Sequence, residues 1–127
     1  MKLSERLEAI EAGYEFSLAY AAQGRTDERG SQARAMLERM FAALDGLPAE
    51  IDAAFPAGAA RAASSRRFLD AVRQDCLVAQ GAIGLVLDTP AIGSLLVDNL
   101  NASIHLRAVL TDLFLVDQAL KASSRSR

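Results

Sequence analysis

The 127 residues contain one cysteine, one histidine, three prolines and no tryptophan, and each scarcity removes a class of protein. A lone Cys76 permits no disulfide framework, and no C-x-x-C motif is present. Cys76 lies in an apolar run with no accompanying His and Asn/Asp pattern, which reads as a buried structural thiol rather than a nucleophile. The longest uncharged stretch, Cys76 to Leu87, is shorter than the roughly 20 residues of a spanning helix, so no membrane segment is expected. MKLSERLEAIEAG at the start carries acids where a secretory signal would have its apolar core. No surplus of cations exists either: 14 Lys and Arg face 16 Asp and Glu, a net charge of −2. That balance argues against nonspecific nucleic-acid binding. Gly-rich phosphate loops and G-x-S-x-G are missing, and no strand-like alternation of any length occurs. The expectation is a cytoplasmic protein without nucleic acid, membrane or cofactor.

Helix-forming sequence is plentiful. Alanine makes up about a fifth of the chain, and it has the highest helix propensity and lets helices approach closely. Four amphipathic segments follow, at about 3–23, 28–45, 59–87 and 90–122, with a disordered basic tail over 123–127. Ser4 is a candidate cap for the first. Leu3, Leu7, Ile10, Tyr14, Leu18 and Ala21 form its inner stripe, and Gly24 stops it. Ala33, Leu37, Met40, Phe41 and Leu44 line the second. Gly46 and Pro48 end it and open a connection with one short helical turn around Glu50 to Phe55. Phe68, Leu69, Val72, Cys76, Ala79, Ile83 and Val86 recur at core-facing spacing along the third. Asp88-Thr89-Pro90 reads as a restart, with Pro90 in the first turn of the last helix, where its missing N–H is harmless. One domain, an all-α antiparallel four-helix bundle, is the fold expected. Charge divides unevenly, with ten acids and six bases up to Pro56, then six acids and eight bases. Arg61, Arg66, Arg67 and Arg73 read as a solvated face pairing with the acidic first helix.

The last segment carries the most informative pattern. At about 100° per residue, Asp98, Asn101, His105 and Asp112 share an arc of roughly 60° amid Val97, Val109, Leu113 and Val116. Buried polar groups need partners, and three readings of the row stand side by side. As a structural seam, Asn101 and His105 would hydrogen-bond between helices, Asp98 would hold the imidazole, and Tyr14 and Arg6 would supply further contacts. As a ligand site, Asp98, Asn101, His105 and Tyr14 would orient a small molecule against walls that include Phe16, Tyr20, Met36 and Met40. As a metal site, Asp98, Asn101 and His105 could act together, whereas Asp112 lies about 21 Å from Asp98 along the axis and would belong to a second layer. A di-iron site is excluded, because no Glu stands three residues before His105. Glu8, Glu11 and Glu15 fall on the outer flank of the first helix. No catalytic residue and no resident metal is assigned.

The stretch His105-Leu106-Arg107-Ala108-Val109-Leu110-Thr111 resembles the histidine-kinase H-box, in which His is followed by Glu/Asp-Leu-Arg-Thr-Pro-Leu. The acid between His and Leu is missing and Val stands in place of proline. The resemblance covers some seven residues and implies a phosphotransfer role with His105 as acceptor. Surplus apolar surface points elsewhere. Leu77, Gly81 and Gly84 lie opposite the core stripe of the third helix, with Val78 and Leu85 beside them, and Leu96, Leu110 and Phe114 intrude into the polar face of the last. Exposed apolar patches mark partner surfaces, and twofold self-association is the commonest assembly. A homodimer through Leu77, Gly81, Gly84, Leu96, Leu110 and Phe114, serving as a noncatalytic interaction or accessory module, is the expected function. A ligand- or metal-binding bundle and a phosphotransfer domain are the alternatives.

Overall fold

The computed structural model describes residues 1–55 and 63–125. These residues are all-helical and hold six helices: α1 (Leu3–Ala21), α2 (Ala33–Leu44), α3 (Leu47–Ala54), α4 (Ala63–Leu87), α5 (Ser94–Ala102) and α6 (His105–Arg125). Six helices in place of the expected four arise from two differences. The connection after Gly46 folds as an eight-residue helix, started by Gly46 in the left-handed region at φ 79° and by Pro48 in the first turn. The expected last helix is broken at Ser103 and Ile104.

Local chemistry also moves the helix ends. α1 starts at Leu3, and the Lys2 amide donates to the Glu5 side chain at 3.3 Å, so Ser4 is not its cap. α2 begins five residues later than expected, because residues 25–32 form a tight turn. In that turn Gly30 has φ 74°, the Asp27 carboxylate accepts from the Arg29 amide, and the Ser31 hydroxyl accepts from the Ala33 amide at 3.0 Å. At the other end of α2, Arg6 donates to the carbonyls of Ala43 and Asp45, so a cation from α1 caps exposed helix carbonyls. α5 starts at Ser94 rather than Pro90. α6 stays helical through Arg125, into the stretch expected as a tail. Residues 59–62, expected as the first turn of the third helix and including Arg61, lie outside the described residues, as do 126 and 127.

α1 packs on α2 and α5, α4 on α2, α3 and α6, and α6 also reaches α1. One apolar cluster joins all six helices, with Ile10, Leu37, Met40, Leu47, Ile51, Val72, Ile83, Ile92, Leu106 and Leu113 fully enclosed. The α4 stripe is buried as its spacing requires, except for Phe68, which is 37% exposed. The α1 stripe is rotated instead: Ile10, Gly13, Ser17 and Tyr20 face inward, and Leu18 is exposed. Gly13 explains the turn of the helix, for a Cβ there would lie 2.2 Å from Met40 Cγ. The absent side chain lets α2 lie against this face of α1.

Candidate functional site

The break at Ser103–Ile104 dismantles the polar row, because residues on either side of it no longer share one helix. Asp98 and His105 are exposed, contrary to the burial expected of them, and Tyr14 is half-buried against the core. Asn101 behaves as a seam residue between α5 and α1. Its Nδ2 donates to the Ser17 carbonyl at 3.1 Å, 84 positions away, and links α5 to α1. Its Oδ1 is buried without a partner. The nearby hollow lined by Phe16, Ser17, Tyr20, Ala33, Leu37 and Val97 has no room for a water. Among the described residues, no group of three His, Cys, Asp or Glu side chains is placed to hold a metal ion. No helix among them is long and apolar enough to cross a membrane.

Ile104 makes the break. Its φ is 67°, a left-handed conformation that costs a β-branched residue about 1–2 kcal/mol. The Ser103 hydroxyl and amide fold back onto the Leu100 carbonyl at 2.6 and 3.2 Å. The Ile104 carbonyl then accepts from Ala108 at 2.8 Å and starts α6. Ile104 itself is 64% exposed.

A second polar assembly, invisible as a sequence motif, fastens the loop after α1 to the loop before α5. The Tyr20 hydroxyl lies 2.6 Å from the Ile92 carbonyl and 3.0 Å from that of Asp27. The Ser94 hydroxyl donates to the Tyr20 carbonyl at 2.7 Å and accepts from the Arg25 amide at 2.8 Å. The Ser94 amide returns a bond to the Arg25 carbonyl at 2.8 Å. Glu28 accepts from the Ile92 amide and from Arg34, both at 2.8 Å. Arg34 continues to the carbonyls of Leu87 and Thr89. The Ile92 amide, followed by Arg34, holds the Glu28 carboxyl down to about 2. Gly93 is required here because a Cβ would approach the Arg25 carbonyl oxygen to 3.0 Å. These bonds use residues 87–94 for tertiary contacts, which is why the chain does not restart as a helix at Pro90.

Two of the arginines expected to pair with the acidic first helix, Arg66 and Arg73, reach α3 and the residue that caps it instead. Arg73 bonds both Asp52 carboxylate oxygens at 2.6 Å, and Arg66 donates to the Phe55 carbonyl at 3.3 Å.

One pair of acids is placed where charge is costly. Asp75 of α4 and Asp112 of α6 come within hydrogen-bonding range of each other across the helix seam. Asp112 Oδ2 is buried, with no donor from another group. Burial, followed by the Asp75 carboxyl, pushes Asp112 up to about 7. Cys76, buried beside them, is raised to about 12 by burial first and then by the two carboxylates. Such a thiol is not a nucleophile at neutral pH.

The six residues expected to form an oligomer interface fall into different settings. Leu110 is only 7% exposed and belongs to the core, so it offers nothing to a second chain. Leu96 is half-buried. Gly84 is approached from within the chain, since a Cβ there would sit 3.3 Å from the Phe41 ring. Leu77, Gly81 and Phe114 face outward, with Leu77 50% exposed and no atom within 4 Å of a Cβ built on Gly81. Leu85, which the helical spacing places beside this group, is the most open of its residues on α4 at 72%. It stands eight residues from Leu77 and four from Gly81, on the same line of the helix. Compared with models of known protein families, with curated proteins and with solved structures, the chain matches none.

Proposed function

We propose that this chain is a noncatalytic assembly module, built on a helical-bundle core, that pairs with a second copy of itself through the outer face of α4. The observation that carries the reading is the strip Leu77, Gly81, Leu85. The three residues are one turn apart along a single line, the leucines are exposed, and open space lies over the glycine. Two such strips crossing at Gly81 bring their backbones close and cover four leucines. Full burial of a leucine is worth about 1.5–3 kcal/mol, and about half of that applies to side chains already partly covered. Phe114 of α6, 43% exposed, offers further apolar area.

Sedimentation equilibrium at micromolar concentration is the test. A dimer is expected for the native chain and a monomer for the Leu77→Glu/Leu85→Glu variant, with an unchanged helical spectrum because neither side chain belongs to the core. A native chain that sediments as a monomer over this range overturns the proposal.

A further inference from the structure

We propose that the Asp75–Asp112 pair is a proton-operated latch: a proton shared between the two carboxyls holds α6 against α4, and its loss loosens α6 about the hinge at Ile104. This inference does not rest on self-association. Two ionised carboxylates contain only acceptors, so the buried Asp112 Oδ2 has no donor from the protein. One proton between the two groups supplies an O–H donor to the facing oxygen and removes one of two like charges. Deprotonation restores both charges at a seam closed by Val109, Leu113 and Val116 from α6 and by Val72, Cys76 and Ala79 from α4.

Neighbouring groups leave the proton as the available counter-charge. From α4, Asp75 faces Asp112, and Cys76 stays neutral beside them. On α6, Arg107 and Thr111 line the same surface hollow of about 330 Å³ with Ile104 and Asp112. The Thr111 hydroxyl is committed to the Arg107 carbonyl at 2.8 Å. α1 meets α6 nearer its C-terminal end, where Glu8, Glu11 and Glu15 stand around Asp117 and Lys121, and Lys121 is paired with Asp117 at 2.9 Å. The charged residue of α5, Asp98, is exposed. Asp75 is the charged side chain acting on Asp112 among the described residues.

The folded chain holds this proton more tightly than the unfolded chain, so the latch is fully engaged below the ordinary aspartate range. Its contribution falls with rising pH and is gone above about 7. The left-handed Ile104 gives the motion a place to occur, since release of α6 frees it from a strained conformation.

Hydrogen exchange of α6 peptides, read by mass spectrometry at about pH 6 and about pH 8.5 and corrected for the intrinsic exchange rate, tests the latch. Protection of α6 is expected to fall on the order of tenfold between the two, the equivalent of one pH unit of proton linkage. α2 peptides should hold theirs. In Asp112→Asn, which has no proton to lose, α6 protection should be independent of pH, and Asp75→Asn is the second variant should the first not fold. Equal wild-type protection at both pH values overturns the proposal, as does an Asp112→Asn protein with the wild-type loss. Carbon-13 titration of the native Asp112 carboxyl with a midpoint near 4 overturns it too.

Discussion

Replacing Gly13 with alanine should destabilise the protein, although the same change in an ordinary helix interior stabilises it. A helix gains about 1 kcal/mol from Gly→Ala through propensity. At Gly13 the added methyl would lie 2.2 Å from Met40 Cγ and 2.3 Å from Met40 Sδ, against a comfortable separation of about 3.5–4.0 Å. Met40 is fully enclosed and cannot swing into solvent. Its flexible thioether chain absorbs part of the overlap, and overpacking of this kind costs about 1–3 kcal/mol. The net expectation is a loss centred near about 1 kcal/mol and reaching about 2 kcal/mol, read from urea denaturation followed by far-ultraviolet circular dichroism. In a Met40→Ala background the obstructing atoms are gone and Gly13→Ala should become stabilising, a reversal that a double-mutant cycle reports as coupling of about 2 kcal/mol. At Gly81 no atom lies within 4 Å of the built Cβ. Gly81→Ala should therefore gain about 0.5–1 kcal/mol when measured at a concentration too low for self-association. A Gly13→Ala protein as stable as wild type would refute the argument that the glycine exists to admit Met40.

Two further predictions concern the joint between the loops. Tyr20→Phe leaves the Ile92 carbonyl without the hydroxyl 2.6 Å away and should cost about 1–3 kcal/mol, with faster amide exchange around residues 25–30 and 92–94. The ionised Glu28 carboxylate is favoured in the folded chain, so its contribution is present above the ordinary glutamate value of 4.5 and is lost as pH falls toward about 2. Glu28→Gln should therefore lower stability at neutral pH and make it less dependent on pH between about 4.5 and 2. Acid titration of the melting temperature checks this, and parallel curves for the two proteins would sink it.

Helix was legible wherever apolar residues repeat at three and four, and α4 shows this most cleanly: Leu69, Val72, Cys76, Ala79, Ile83 and Val86 are buried as spaced. A lone cysteine among apolar neighbours was likewise enough to foresee a buried thiol. Winding the last segment as one helix failed because periodicity does not register a single residue with positive φ. Neither Ser103 nor Ile104 is a recognised helix breaker, and Ile104 is among the residues least suited to the left-handed region. The row of Asp98, Asn101, His105 and Asp112 therefore gathered residues that the fold separates. Asn101 kept a role at the seam between α5 and α1, and Asp112 lies at a different seam, between α6 and α4.

By itself, the sequence determined that the chain is helical, where most apolar faces lie, and that a disulfide framework, the di-iron Glu-x-x-His pattern and a Gly-rich phosphate loop lack their residues. These properties follow from local spacing and composition. Tertiary structure alone decided that Ser94, Tyr20, Glu28 and Arg34 join two loops about 70 positions apart, and that Gly13 faces Met40. It also decided that Asp112 of α6 meets Asp75 of α4. Each depends on contacts between segments distant in sequence, where burial and the neighbouring charge act on a side chain far more strongly than its neighbours along the chain do.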